Sequence, residues 1–485
     1  MSTERARGPA PTAAAPGSAG TSPAGAARGP APAEEPRRSG PAGAARGPAL
    51  RRVAVVCHQY PPWNLGGLAE YAERFVRGIR RERPGLRLAL HTMNCPGDLP
   101  HRERHEGLTI TRPRMPRALK RRLLAPGDRL SAGGRAVFAL ALLHFNAATL
   151  LSLLCSRRRG TVVAVHDWQS APVGILAAAL LRLPVIYHVH NTEATMTATP
   201  DMTDPFGLIG RSQRLLSRLA AQVVVPTPEM RELVVRHGWE PGRISVVPHG
   251  HETPDAAGAG PHPDGGPGGG GAEADRETAR EELATASGLP PDARILVFAG
   301  RLSPVKGVHT LLRALPALAR DHPGVRLFVL GVGLEGTGQS AAVDRLVERL
   351  GIRDRVHVYH RYLPADEVHR HYLAADVCVF PSTYEPFGLV SVEAMSLGVP
   401  VVLGPGFSRI ITGDGPHPAA LRTERDDPAE LAALVGALLA DPEQAEALAA
   451  RGREHVRRTF RWPATIAATL RVYEDALVSG EGAAR

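Results

Sequence analysis

Apolar residues in this chain fall into two alternating kinds of run. Short, nearly continuous apolar stretches occur in RRVAVVCHQY, TVVAVHDW, LPVIYHVHN, AQVVVPT and ISVVPHG. Runs of this length and make-up predict buried strands. Between them the spacing changes to that of a helix, as in Leu68, Tyr71, Ala72, Phe75, Val76 and Ile79, and again in APVGILAAALL. After a glycine-rich break the alternation restarts with ARILVFAG, the helical VHTLLRALPALA, then GVRLFVLGVG, DRVHVYH, DVCVFPS and VPVVLG. Buried strands alternating with amphipathic helices predict βαβ units and an α/β fold of two parallel, Rossmann-like sheets. Ligands of such sheets bind at the carboxyl ends of the strands.

The same pattern sets the boundaries. Residues 1–50 are Ala, Gly, Pro, Ser and Arg without periodicity. Such a segment buries too little apolar surface to offset chain entropy, so a disordered tail is expected. The two Rossmann-like units are expected at 51–252 and 291–455. Between them 253–290, with AGAGPHPDGGPGGGG, reads as a flexible linker or insertion. Residues 456–485 read as a C-terminal helix crossing back to the first unit.

Composition refines this picture at three points. At 485 residues and 43% hydrophobic, the chain is long enough for two or three domains, each with its own core. Cys57, Cys95, Cys155 and Cys378 form no CxxC pair, which fits a reducing cytoplasm and argues against both a disulfide framework and a zinc site. The formal charge of +10 is concentrated between His101 and Gly160, where 13 Lys+Arg face 3 Asp+Glu. Such a stretch suits anionic lipid, nucleic acid or a phosphorylated substrate. The reading adopted is a solvated arginine-rich segment, with no nucleic-acid partner expected. Within it, Ala136 to Cys155 are twenty uncharged residues, a length compatible with a membrane span. His144, Asn146, Thr149 and Ser152 interrupt the run, so a buried helix is expected and membrane association is the alternative.

The candidate chemistry lies in the strand-to-helix loops. In YEPFGLVSVEAM, Pro386 keeps Glu385 out of a helix that starts after Gly388, so Glu385 lies in the loop and Glu393 about a turn into the helix. Free N–H groups at such a helix start suit an anion or sugar hydroxyls. In GRLSPVKG, Arg301 and Lys306 stand five apart after a strand, a pair of cations fit for a diphosphate. Only Lys120 and Lys306 are lysines among 58 basic residues, which singles out Lys306. In NLGGLAEY, Gly66 and Gly67 follow the first strand; a double glycine alone equally marks a simple turn. His166 of VHDWQSAP and His190 of HNTEATM end strands; a lone histidine is equally a structural one. No Asp-x-Asp stands at a strand end, so no metal is expected.

EPFGLVSVEAM resembles the donor-binding motif of retaining glycosyltransferases of the GT-B fold, family four, and of the related glycogen and starch synthases. The resemblance extends over about residues 51–475, with the insertion near 253–290 falling outside it, and implies two Rossmann-like domains facing across a cleft, an acceptor domain first and a donor-binding domain second. It implies that Glu385 holds the donor hexose and Glu393 the ribose, that the amides of Phe387, Gly388 and Leu389 face sugar and phosphate, and that Arg301 and Lys306 neutralise the diphosphate. By the same resemblance, Gly66 and Gly67 approach the donor phosphates, His166 contacts the reacting sugar, and Asn191 and Glu193 lie on the acceptor side. The implied reaction is hexosyl transfer from a UDP-, ADP- or GDP-hexose to a hydroxyl acceptor, a glucan, natural product or lipid-linked sugar, with no cofactor beyond that co-substrate. A sugar-nucleotide epimerase of the same fold is the alternative enzyme, and a basic nucleic-acid or membrane-surface binder the alternative without chemistry. Two stretches depart from the family pattern. His249-Gly250 replaces its Asn-Gly, and LGPGFSRIITGDGPHPAALRTE replaces its G-G-x-x-E-I loop.

Overall fold

The computed structural model describes residues 49–63, 67–94, 99–124, 132–155, 159–192, 207–252, 269–331, 333, 338–413 and 415–482. The expected tail thus lies outside the described residues up to position 48, as do Gly66 and Glu193.

Two sheets form, most of their strands being apolar runs read above. The first contains β1 (Arg52–Val56), β2 (Arg87–His91), β3 (Arg102–His105), β4 (Leu108–Thr111), β5 (Thr161–His166), β6 (Val185–His188), β7 (Gln222–Val225) and β8 (Ile244–Val246), in the order β3-β4-β2-β1-β5-β6-β7-β8. All its pairings are parallel except the β3–β4 edge hairpin. The second contains β9 (Arg294–Ala299), β10 (Val325–Leu330), β11 (Val356–Tyr359), β12 (Val377–Phe380), β13 (Val401–Leu403) and β14 (Leu421–Arg422), in the order β11-β10-β9-β12-β13-β14, parallel throughout. β1 lies between β2 and β5, and β9 between β10 and β12, so the strand order reverses at β1 and at β9. The loops leaving those strands open into a crevice at the carboxyl edge.

Each sheet is covered on both faces, which is why β1, β5, β9 and β12 are apolar almost throughout. The helix Gly67–Glu82 buries Tyr71, Ala72, Phe75, Val76 and Ile79 against β1 and β5; Leu68 stays at the cleft. The last helix, Trp462–Gly482, packs on the same face of the first sheet through Ile466, Leu470 and Tyr473. Gly78 permits that close approach, since a Cβ there would stand 2.8 Å from Ile466.

Two expectations need correction. The segment 253–290 is not all linker, because a helix runs over Gly269–Ser287. Ala279 and Leu283, one helical turn apart, enter the second core, and the Arg280 guanidinium donates to Asp376 at 3.0 Å and to the Ala293 carbonyl. Residues 253–268 lie outside the described residues. The apolar run 136–155 does form a helix, Ala132–Cys155, but only a third of its apolar window is buried. Ala141, Leu142, Phe145 and Leu153 face the core, while Leu140, Leu143, Leu151 and Leu154 are 52–62% exposed.

Candidate active site

The motif loops meet in one cavity of about 240 Å³ between the carboxyl edges of the two sheets. Its first-domain wall includes Gly67, Leu68, Tyr71, Asp167, His190, Asn191 and His249. Its second-domain wall includes Gly300, Lys306, Ser382 and the run from Glu385 to Val390.

Lys306 closes a short 3-10 turn, Pro304–Lys306, after β9. Gly307 follows with φ of 72°, and a Cβ there would lie 2.0 Å from the Pro381 carbonyl oxygen. The turn therefore presses on the strand end carrying the second motif, and only glycine fits. The consequence is an ion pair, with Lys306 Nζ 2.6 Å from Glu385 Oε2; the side chains are 20% and 9% exposed. The Ser382 hydroxyl donates to the same oxygen at 3.4 Å. Arg301, by contrast, is exposed and is not among the residues lining the cavity.

Gly388, at φ of 93°, caps the helix Leu389–Ser396; a Cβ on it would stand 2.3 Å from the Phe407 ring. The first helical N–H groups have no partner within the helix. Leu389 and Val390, the first residues of the helix, line the cavity. Glu393, one turn along, is half-buried opposite helix Gly67–Glu82. Burial, and next the charge of Glu70, push its carboxyl up to about 7 against the pull of Arg74.

The loop that departs from the family pattern supports this strap. Gly404 and Gly406 lie so close to Pro381, Ser382 and Thr383 that a Cβ would clash with their backbone at 2.3 Å. The Glu385 N–H donates to the Gly406 carbonyl at 3.1 Å. The first domain then grips the loop: the Glu229 carboxylate accepts from the Ser408 hydroxyl and from the Arg409 N–H.

The opposite wall is built on stacked histidines. His166 is wholly buried and is not among the residues that line the cavity. Its ring lies 4.4 Å from His188 and shares a hydrogen bond of 3.1 Å with His190. His190 is the histidine of that pair that reaches the cavity. Burial pulls it down to about 3 and holds His166, His188 and His249 well below the usual histidine range, so the stack is neutral at physiological pH.

Asp167 was passed over in the sequence, though it follows directly on His166. It adopts φ of 60°, sparsely populated for a non-glycine residue. One carboxylate oxygen accepts the N–H groups of His190 and Asn191, each at 2.9 Å. Burial nonetheless pushes its carboxyl up to about 7. Tyr71 and His249 were also missed as wall residues. His249 packs 4.4 Å from Tyr71 and 4.7 Å from Phe387, joining the two domains at one of the family's points of variation. Asn191 does line the cavity, its carbonyl accepting from Gln213 at 2.9 Å. Among the described residues no group of three His, Cys, Asp or Glu is arranged to hold a metal ion.

Two Rossmann-like sheets whose carboxyl edges meet over a cation, a carboxylate and a helix N-terminus have the architecture of the GT-B fold, and comparison with known proteins agrees. Residues 66–250 match the family described as glycosyl transferase 4-like domain, and residues 279–455 match glycosyl transferases group 1. The D-inositol 3-phosphate glycosyltransferase of Segniliparus rotundus is 32% identical over 66% of this chain and 68% of its own length. That of Kineococcus radiotolerans is 31% identical over 71% and 77%. Among solved structures, sucrose-phosphate synthase from Thermosynechococcus elongatus superposes with a TM-score of 0.68 at 21% identity, over 88% of this chain and 100% of that one. Starch synthase IV from Arabidopsis thaliana, bound to ADP and acarbose, gives 0.67 at 16% identity, over 89% and 100%. The chain belongs to glycosyltransferase family four, of GT-B fold. It is an enzyme that transfers a glycosyl group from a nucleotide sugar.

Proposed function

We propose that the chain transfers a hexose, with retention of anomeric configuration, from a nucleoside diphosphate hexose to a hydroxyl acceptor. The observation that carries this reading is the Lys306–Glu385 pair at the start of helix Leu389–Ser396. In the free protein the two charges neutralise each other. On donor binding the ammonium turns to the diphosphate, with Arg301 as its outer partner, and the carboxylate accepts hexose hydroxyls. The amides of Phe387, Gly388 and Leu389 face the phosphates and sugar from the helix start, where the backbone dipole favours negative charge. Glu393 takes the ribose hydroxyls. As the glycosidic bond breaks, negative charge grows on the leaving diphosphate, and fixed cations and N–H groups stabilise it without reorganisation.

The acceptor enters over the wall of His190, Asn191 and His249; Glu193 is assigned to the same acceptor side, and Gly66 and Gly67 to the donor phosphates. The neutral His190 ring offers a donor or acceptor to a sugar hydroxyl, and His166 beneath it fixes its orientation. The curated relatives act, by name, on D-inositol 3-phosphate, so a phosphorylated cyclitol joins the glucan, natural-product and lipid-linked acceptors to be tried.

The test is a thermal-shift screen of UDP-, ADP- and GDP-hexoses, followed by product analysis with and without acceptor. A ligand at about a hundred times its Kd should stabilise the fold by about 2.7 kcal/mol. An axial product linkage from an axial donor supports retention. An equatorial linkage overturns it, and an isomerised sugar nucleotide formed without acceptor indicates an epimerase.

A further inference from the structure

Exposed leucines are ordinary when scattered. Here they are not. Among the described residues eleven large hydrophobic side chains are exposed, and nine lie on or at the end of three neighbouring helices of the first domain. Leu140, Leu143, Leu151 and Leu154 project from helix Ala132–Cys155. Leu176 and Leu180 come from Ala171–Ala179 and its C-cap. Leu208, Leu215 and Leu219 belong to Leu208–Leu219. The outward stripe of Ala132–Cys155 continues through Ala136, Ala139 and Ala147, so that face lacks the polar residues a solvent-facing helix carries.

The charges around this face have one sign. None of the three helices contains an acidic residue, and neither does Arg117–Leu124, which packs beside Ala132–Cys155 and exposes Arg117, Arg121 and Arg122. On Leu208–Leu219, Arg211 and Arg218 alternate with the leucines on the exposed side. Behind Ala132–Cys155 a further cavity of about 440 Å³ is lined by Arg52, Arg102, Arg114, His91, His101 and His144, among others, with no carboxylate in its wall.

Helix Ala132–Cys155 is long enough to span a bilayer but is tied down along its length. Phe145 and Leu153 lie in the domain core. The Asn146 side chain accepts from the Val173 N–H at 3.0 Å and donates to the Gln169 carbonyl at 2.9 Å. Spanning would tear the helix from the sheet, whereas lying flat buries only the stripe that is already exposed.

We propose that this face docks the enzyme on an anionic lipid bilayer, the leucines entering the acyl boundary and the arginines meeting lipid phosphates. An apolar face rimmed by cations matches both layers of such a surface, whereas a protein partner would have to supply a separate acidic rim. The proposal is independent of the donor and acceptor assignments above, because the face lies on the first domain's outer helices and not in the cleft.

The test uses the full chain in co-sedimentation with vesicles of phosphatidylcholine alone or mixed with phosphatidylglycerol, at low and high salt. The double variant Leu143→Glu/Leu151→Glu and the double variant Arg121→Glu/Arg122→Glu are run beside it. All four side chains are exposed, so folding should persist, checked by circular dichroism and by nucleotide-sugar thermal shift. The wild type should bind the anionic vesicles, with binding weakened at high salt. The leucine variant should partition roughly tenfold less or worse, and the arginine variant should lose the preference for anionic lipid. The proposal is overturned if the wild type ignores anionic vesicles or the folded leucine variant binds them undiminished. It is equally overturned if the wild type is a dimer in sedimentation equilibrium that the leucine variant dissociates while neither sediments with lipid.

Discussion

Replacing Lys306 by Ala tests the leaving-group assignment. In the free enzyme Lys306 is paired with Glu385 at 2.6 Å, and both side chains are partly screened from solvent. Losing the pair should cost the fold little, about 1 kcal/mol, because the lysine retains access to water. The cost to chemistry should be larger. Charge on the departing diphosphate peaks in the transition state, so the lost interaction falls mainly on kcat. One preorganised donor of this kind is worth about 3–4 kcal/mol, a loss of roughly a hundred- to a thousandfold in turnover. Lys306→Arg should also be impaired, because the turn cannot back away to admit a longer, planar head: Gly307 is already pressed on Pro381. The assay is steady-state kinetics on both variants with the donor found by thermal shift, circular dichroism confirming the fold. Turnover near wild type in K306A would remove Lys306 from the site. A raised KM with unchanged kcat would show that it serves ground-state binding alone.

Three further outcomes are expected. Because the Glu393 carboxyl is held near 7, it is neutral below that pH and ionised above it; donor affinity, measured by calorimetry, should therefore rise with pH through about 7. Asp167 titrates in the same range, so E393Q, which should flatten the profile and weaken binding by about 1–3 kcal/mol, separates the two. D167A strands the N–H groups of His190 and Asn191 and should lower stability by about 2–4 kcal/mol in denaturant melts, whereas D167N keeps the accepting oxygen and should cost much less. G388A forces a Cβ against Phe407 at a positive φ, so a loss of about 1–3 kcal/mol with weakened donor binding is expected, and an unchanged protein would argue against the helix-start geometry.

The sequence revealed the strands that form nearly continuous apolar runs. It did not reveal β2 or β4, whose short apolar stretches are bounded or broken by Arg87, His91, Thr109 and Thr111, nor β3, whose residues Arg102 to His105 are polar and sit at an edge, nor β14, which has only two residues. The helix Gly269–Ser287 was hidden by its charged surface, because one pair of buried apolar residues and a tethered arginine hold it. The Glu385, Lys306 and Gly388 wall was legible because each of two strand-to-helix loops carries a local signal, Lys306 beside Gly307 in one and Glu385 with Gly388 at a helix start in the other. The opposite wall was less so. Burial ranks the histidines, and burial is a tertiary property: His166 ends β5 and His190 lies two residues beyond β6, yet only His190 reaches the cleft. Asp167 serves backbone groups 23 and 24 residues away, which no local spacing discloses.

The central claim is that the donor diphosphate lies between Lys306 and the start of helix Leu389–Ser396. A crystal structure of the enzyme with the nucleoside diphosphate of its donor measures this directly. Phosphate oxygens are expected within hydrogen-bond reach of Lys306 Nζ and the Leu389 amide, with Glu385 released from the lysine. Diphosphate bound instead in the arginine-lined cavity behind helix Ala132–Cys155, with the Lys306–Glu385 pair intact, would contradict it.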